Sequence, residues 1–187
     1  MNVALPRPVM SLEEFLAWED HQEDRWEFDG YQPQAMVGGT VAHNQIVGAV
    51  VLALRQQLKP PCRVYHESMR LRLAHSLRYP DLMVACTPVA NDATEITDPI
   101  VVFEVLSGST FRTDRIAKNR EYEAAPSIRR YILLEQDAIA AEVYTRDGNR
   151  WVRSTVTGDG LLAMPEIGVE MILADAYAGL ELGTQAA

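Results

Sequence analysis

Cysteine and long apolar runs are scarce in this sequence, and their scarcity narrows the kind of protein it can be. There are only two cysteines, with no CxxC or Cys/His spacing, which argues against a disulfide framework and against a zinc site. We therefore expect Cys62 and Cys86 to be small, buried apolar residues. No apolar stretch is long enough to span a bilayer, and the amino terminus lacks the basic start and hydrophobic centre of a signal peptide. These absences predict a cytoplasmic protein that does not enter a membrane.

Lys and Arg are also fewer than Asp and Glu. The chain has 17 Lys and Arg against 26 Asp and Glu, a net charge of −9, which argues against a protein that coats nucleic acid through bulk electrostatics. The cations are concentrated, however, because residues 63–78 and 108–130 together hold ten of them and only four acids. A positive rim of this kind suits a phosphate-bearing substrate, although a solvated basic face would explain it equally well.

Length and composition predict one globular domain. The 187 residues are 48% hydrophobic and 23% charged, as in an ordinary soluble protein with a substantial core. No repeat or low-complexity linker divides the chain. We expect an amino-terminal arm at 1–10, a single domain at 11–182 and a loose tail at 183–187.

Capping residues and hydrophobic spacing predict two early helices. One begins after Ser11 in a Ser-x-x-Glu capping box, and the other begins after Thr40 with strongly apolar spacing that continues to Pro60. Between them an Asp-Gly turn predicts a hairpin of 25–30 with 31–36, whose second strand contains a proline and so should be an edge strand.

The rest of the chain is predicted to form mainly strands. Six segments are rich in β-branched and aromatic residues and bounded by turn formers, namely 63–73, 78–85, 100–107, 130–135, 141–145 and 151–156. A helix is expected from Thr113 to about Ala125. On it Asp114, Lys118 and Tyr122 are spaced by four residues and share one face.

Two acidic residues stand out in the middle strands. Glu104 lies in an almost entirely apolar strand, where a carboxylate must be paired, hydrogen-bonded, metal-bound or protonated. Asp81 follows Pro80 at the start of another strand, and if the two strands are neighbours the carboxylates converge in a way that suits a hard cation such as Mg²⁺. The alternatives are a turn-capping Asp81 and an ion pair between Glu104 and Arg70 or Arg72.

Several short motifs in this order resemble the Uma-type family of restriction-endonuclease-like proteins, in the PD-(D/E)XK nuclease superfamily. The matching segments are Leu12–Phe15, Trp26–Gly30, His43–Ile46, Pro80–Leu82, Glu104–Ser107 and Lys118 with Tyr122. The resemblance implies an α+β, restriction-endonuclease-like fold with a mixed central sheet flanked by helices.

The resemblance also implies a divalent-metal centre that takes Mg²⁺ or Mn²⁺. By analogy, Asp81 and Glu104 are the metal-binding acids, the backbone carbonyl of Val105 completes the shell, and Glu27 is the acid contributed by the amino-terminal part. Strand alternation alone would instead turn Glu27 towards solvent.

One departure from the superfamily pattern concerns its lysine. The signature places Lys two residues after the acid, where this chain has Leu106, so the resemblance points to Lys118 on the following helix. A solvated surface charge is the alternative for Lys118. His43 is a candidate phosphate contact or proton shuttle, with capping or packing as its alternative, and Arg70 and Arg72 are further candidate phosphate contacts.

These observations support two hypotheses of different classes. The first is a Mg²⁺-dependent endonuclease that hydrolyses phosphodiester bonds of nucleic acid, preferably DNA, as a homodimer whose two-fold symmetry suits two strands. The second is a catalytically inactive nuclease fold that serves as a binding or interaction module. The leucine at position 106 and the acidic net charge motivate the second hypothesis.

Overall fold

The computed structural model describes residues 10–36, 38–66, 68–106 and 112–182, with side chains from 116 onward in the last range. The expected arm, apart from Met10, and the expected tail lie outside these residues. The helices are α1 (Leu12–Glu19), α2 (Val41–Gln57), α3 (Arg112–Ala124) and a terminal 3-10 helix (Leu173–Tyr177). The strands are β1 (Trp26–Phe28), β2 (Pro33–Ala35), β3 (Arg63–His66), β4 (Arg70–Arg72), β5 (Leu77–Arg78), β6 (Leu82–Ala85), β7 (Glu95–Ile96), β8 (Val101–Leu106), β9 (Arg130–Glu135), β10 (Ala140–Asp147), β11 (Arg150–Thr157), β12 (Leu161–Met164) and β13 (Val169–Ile172).

The main sheet is mixed and has β8 in its interior. Within the described ranges it contains six strands in the order β11-β10-β9-β8-β6-β3. β8 runs parallel to β9 and antiparallel to β6, while the other neighbours are antiparallel. With strands on both sides and cover on both faces, β8 needs an apolar sequence. The predicted α+β fold with a mixed central sheet is confirmed.

The two faces of this sheet are covered by different elements. Val101, Phe103 and Val105 of β8 belong to a buried cluster with α2, the β12–β13 hairpin and the 3-10 helix. Val102, between them, packs instead with Tyr122 of α3 in a second cluster. Alternation along β8 therefore places the side chain of Glu104 on the α3 face.

The two predicted early helices are confirmed, with their caps. Ser11 and Glu14 form the reciprocal capping box of α1, and the Thr40 hydroxyl accepts from the backbone N–H of His43 at the start of α2. The buried face of α2 contains Ile46, Val47, Val50 and Leu54. Among the described residues, every helix falls short of the length and apolar character needed to cross a bilayer.

Two segments predicted as single strands are each divided between sheets. Residues 63–73 form β3 in the main sheet and β4 in a second sheet, whose described order is β2-β1-β5-β4-β7. Residues 78–85 likewise contribute the end of β5 to the second sheet and β6 to the main one. Pro80 separates β5 from β6, because proline has no N–H to donate to a ladder. The predicted hairpin of β1 and β2 is confirmed, with β2 at the edge.

The expectation for the two cysteines was wrong. A disulfide joins Cys62 to Cys86. β3 and β6 pair with Arg63 opposite Ala85, so the next pair outward consists of the two cysteines. The separation of 24 residues along the chain does not predict the disulfide, because only the strand register brings the two sulfurs together.

Burial differs sharply between two leucines of α2, and this difference predicts their contribution to stability. Leu54 is fully buried against the main sheet, so Leu54→Ala should lower the free energy of unfolding by about 2–5 kcal/mol. Leu52 is 59% exposed, and Leu52→Ala should change the free energy of unfolding by less than about 0.5 kcal/mol. Denaturant unfolding followed by circular dichroism checks both, and equal losses would contradict the packing described for α2.

Candidate active site

Two neighbouring strands bring Asp81 and Glu104 together. β6 and β8 pair with Leu82 opposite Phe103 and Met83 opposite Val102. Continuing this register by one residue sets Asp81 opposite Glu104, and residues opposite each other in antiparallel strands point to the same face. The sequence-based condition that the two strands be neighbours is therefore met.

Glu104 is an acid almost enclosed by protein. Its side chain is 12% exposed, and its Oε1 lies 3.1 Å from Nζ of Lys118. The hydroxyl of Tyr122 donates to the same oxygen at 3.2 Å. A buried carboxylate requires such partners, because removal from water is otherwise costly by several kcal/mol.

The partners of Glu104 come from one face of α3. Lys118, Glu121 and Tyr122 are spaced by three and four residues, so they project from the same side of the helix. Lys118 is only 9% exposed, which excludes the alternative of a solvated surface charge. Asp114, which was predicted to share this face, has its side chain outside the described residues.

Glu27 reaches the same place from β1. It is 8% exposed, so the alternative of a solvent-facing strand residue is excluded. Its Oε1 accepts from the backbone N–H of Tyr79 at 2.9 Å and lies 3.4 Å from Nζ of Lys118. Nη1 of Arg78 donates to Oε2 at 3.2 Å. Lys118 therefore sits between the carboxylates of Glu27 and Glu104.

Asp81 is held by the main sheet and by α2. Its Oδ2 accepts from the backbone N–H of Val105 at 2.6 Å, and its Oδ1 lies 3.0 Å from Nε2 of His43. Thr40, not His43, caps α2, so the imidazole is available to Asp81. Gly39 provides room for the ring, since a Cβ added there would lie 2.9 Å from Nδ1 of His43.

The charges around Glu104 determine its protonation. Burial raises the pKa of Glu104 from 4.5 to about 7, Lys118 opposes this rise, and the nearby charges of Asp81 and Glu27 add to it. Burial also raises the pKa of Tyr122 well above its usual value, with Glu104 contributing, so the phenol stays a hydrogen-bond donor. The centre thus places three carboxyl groups, those of Glu27, Asp81 and Glu104, near the single ammonium of Lys118.

Arg70 and Arg72, the candidate phosphate contacts, are engaged elsewhere. Both belong to β4 in the second sheet. Nη1 of Arg70 lies 2.9 Å from Oε2 of Glu19, and Nη1 of Arg72 lies 3.3 Å from Oε1 of Glu95. The structure therefore brings together Glu27, His43, Asp81, Glu104 and Lys118, and pairs these two arginines with other acids.

Sequence reasoning missed Arg78 and Glu121. Arg78 is fully buried, donates to both oxygens of Glu121 and also contacts Glu27. The available signals were an arginine beside Leu77 in a short strand and a glutamate three residues after Lys118. Neither signal is specific, because most such residues lie on the surface.

The donor set fits a hard divalent cation. Asp81 and Glu104 supply carboxylate oxygens at adjacent positions, and each such oxygen can accept a hydrogen bond and still bind a metal. In the described part of the chain, no group of three or more His, Cys, Asp or Glu side chains is arranged to hold an ion. A cation here would therefore need backbone or water oxygens in addition to the two carboxylates.

The raised pKa of Glu104 predicts a pH-dependent contribution to stability in chelator-containing buffer. Between about pH 4.5 and 7 the folded protein retains a proton that the unfolded chain releases, so this contribution is full below pH 4.5 and is lost as the pH rises through 7. The stability difference between wild type and Glu104→Gln should fall across this window by roughly 1–3 kcal/mol. Urea unfolding at several pH values measures it. The exposed Glu170→Gln serves as the control, and a difference that does not vary with pH would contradict the assignment.

Comparison with known proteins places this chain in a family. The family model Uma2, described as "Putative restriction endonuclease", matches residues 12–175. An uncharacterized protein of Synechocystis sp., slr1290, is 30% identical over 180 residues, covering 94% of this chain and 95% of that protein. A second one, sll1609, is 26% identical over 166 residues, covering 85% of this chain and 94% of its own length.

A solved structure shares the fold. The crystal structure of a putative nuclease from Anabaena variabilis matches with a TM-score of 0.76 at 19% identity, covering 90% of this chain and 98% of that one. At this identity the match concerns the fold, whereas the family model spans most of the sequence. The chain therefore belongs to the Uma2 family of putative restriction endonucleases and has a nuclease-like α+β fold.

Proposed function

We propose that this protein is a divalent-metal-dependent endonuclease that hydrolyses phosphodiester bonds of nucleic acid, with DNA as the preferred substrate. The observation that carries the proposal is the convergence of Glu27 and Glu104 on the buried ammonium of Lys118, with Asp81 opposite Glu104 in the neighbouring strand. An acidic centre with a single enclosed lysine suits chemistry on a phosphate group, since it combines sites for a cation with a donor for developing negative charge.

Asp81 and Glu104 would hold Mg²⁺ or Mn²⁺, and the backbone carbonyl of Val105 would complete the protein's share of the ligands. When bound, such an ion supplies Lewis-acid stabilisation of phosphate charge and lowers the pKa of a coordinated water. The backbone N–H of Val105 and the imidazole of His43 hold the Asp81 carboxylate in orientation.

Lys118 has the role of orienting the attacking water or stabilising the charge that develops on the phosphorus oxygens. Its ammonium is shielded from solvent, so its field is stronger than that of a surface lysine. Glu27 gives this ammonium a second carboxylate contact, at 3.4 Å. Under this proposal the lysine reaches the acid from α3 and takes the role of the signature lysine, in whose position this chain has Leu106.

His43 is proposed to contact a substrate phosphate or carry a proton at the Asp81 side of the centre. Arg70 and Arg72, whose side chains are 20% and 38% exposed and paired with Glu19 and Glu95, are proposed as further phosphate contacts. A homodimer would present two such centres to the two strands of a duplex.

The alternative, an inactive binding module, is motivated by the leucine at position 106 and by the acidic net charge. The 3.1 Å contact between Lys118 and Glu104 weakens the first motive. The two proposals differ in one measurable property, because only the endonuclease requires the carboxylates for turnover.

Removal of either proposed metal ligand should abolish cleavage. Asp81→Asn and Glu104→Gln should each lower Mg²⁺- or Mn²⁺-dependent cutting of supercoiled plasmid DNA by at least about 100-fold, since even indirect metal partners are worth up to that much. Titration calorimetry with Mn²⁺ should show weakened binding in both variants. Single-stranded DNA and RNA oligonucleotides, assayed in parallel, establish the substrate preference.

Two exposed acids provide matched controls for this experiment. Asp92→Asn and Glu170→Gln make the same chemical changes away from the centre and should cut and bind Mn²⁺ as the wild type does. A wild-type protein that binds no Mn²⁺ and cuts none of the three substrates, or a Glu104→Gln variant that cuts at the wild-type rate, would refute the endonuclease proposal.

Lys118→Met separates the role of the lysine from that of the metal. The variant should still bind Mn²⁺, because the carboxylates remain, but should cut about 100- to 1,000-fold more slowly, as expected when a donor to a developing negative charge is lost. Single-turnover cleavage measures the rate and calorimetry measures the binding. A variant that cuts normally would show that Lys118 only neutralises buried acids.

A further inference from the structure

The fully buried guanidinium of Arg78 connects the second sheet to α3. Its Nε and Nη2 donate to the two oxygens of Glu121 at 2.8 and 2.6 Å, and its Nη1 donates to Glu27 at 3.2 Å. The planar guanidinium binds two carboxylates through donors in fixed directions, whereas the donors of a lysine ammonium rotate. The hydroxyl of Ser76 adds a 2.8 Å bond to Glu121 from the same side.

These contacts form a closed ring that includes Lys118, Glu121, Arg78 and Glu27. Glu121 lies one helical turn after Lys118 and anchors that part of α3 to Arg78. Glu27, the other partner of Arg78, contacts the Lys118 ammonium. A single guanidinium therefore contacts both Glu121, on the helix that carries Lys118, and Glu27, one of the two carboxylates that Lys118 contacts.

Electrostatics favour the charged form of Arg78 in this ring. Burial by itself would lower the pKa of Arg78, but the hydrogen bonds and charge of Glu121, together with the charge of Glu27, raise it above its usual value. The guanidinium is thus permanently charged. Without it, Glu27 and Glu121 would both lose a buried cation, and Glu27 would have only Lys118 as a cationic side-chain partner among the contacts described here.

We propose that Arg78 is the positioning residue of this centre, and that it holds the Lys118 ammonium between Glu27 and Glu104 by fixing Glu27 and Glu121 together. This inference rests on the proposed function for its catalytic consequence. The positioning itself is a property of the folded chain and can be measured without substrate.

The test is a mutant cycle on stability. Coupling between Glu27 and Lys118 is obtained from unfolding of wild type, Glu27→Gln, Lys118→Met and the double variant, and is then measured again with Arg78→Gln and with Arg78→Lys. We expect a measurable coupling in the wild-type background that falls to within error of zero in both Arg78 backgrounds. Arg78→Lys keeps the charge and provides a second background should Arg78→Gln fail to fold.

Arg130 provides a matched control. It is likewise a buried arginine, with 8% exposure, and it donates through two nitrogens to Glu166 away from Lys118. Arg130→Gln should destabilise the protein while leaving the coupling between Glu27 and Lys118 unchanged. If Arg78→Gln or Arg78→Lys leaves that coupling unchanged or strengthens it, Arg78 is a structural ion-pair residue only and the proposal is overturned.

Cleavage kinetics test the expected effect of Arg78 on catalysis. Arg78→Lys should lower kcat roughly 10- to 100-fold with KM changed less than threefold, because a small displacement of a catalytic group costs this much. In the Lys118→Met background the same change should cost less than twofold. An equal loss of kcat in the wild-type and Lys118→Met backgrounds would show that Arg78 does not act through Lys118. If the wild type cuts nothing, the proposed function fails, and the stability cycle still decides whether Arg78 positions Lys118.

Discussion

The Glu104 carboxylate lies inside the main sheet, with β6 and β9 on either side of its strand and α3 across its face. Burying a lone carboxylate costs several kcal/mol, so this position is tolerated only with compensating groups near it. Lys118 and Tyr122 provide that compensation from one helical face, which makes the placement of α3 a consequence of Glu104 as much as of apolar packing. The compensation is incomplete, as the raised pKa of Glu104 indicates. A site with residual negative charge is predisposed to bind a cation.

The second sheet acts as the support for this centre. It contributes Glu27 from β1 and Arg78 from β5, and both are buried where this sheet and α3 meet. Arg78 and its two acids form a charge-assisted network in which each oxygen and nitrogen constrains the others, so the group is held more firmly than single ion pairs would be. In a nuclease this firmness matters, because a donor to a developing negative charge contributes most when it is already oriented before reaction.

Much of the fold was predictable where local patterns and tertiary packing agree. The capping box at Ser11, the apolar spacing after Thr40, the hairpin at 25–36 and the apolar strand around Glu104 were all confirmed. Predictions were wrong where one local pattern serves two sheets, as in 63–73 and 78–85, since alternation is the same on either sheet. The disulfide was missed for a related reason, because only the register of β3 with β6 sets Cys62 opposite Cys86.

The sequence by itself determined which residues to propose for the chemistry: an acid in an apolar strand, a second acid after a proline, and a lysine four residues before a tyrosine on a helix. The two acids are distinguished by their local surroundings, whereas the lysine is singled out by the family resemblance. Only the tertiary structure decided the partners of these residues. Arg78 lies 51 residues from Glu27 and 43 residues from Glu121, and nothing in the chain between them specifies either pairing. Ion pairs inside a protein are selected by which elements pack together, because a buried charge takes the nearest complementary group in space, whatever its distance along the chain.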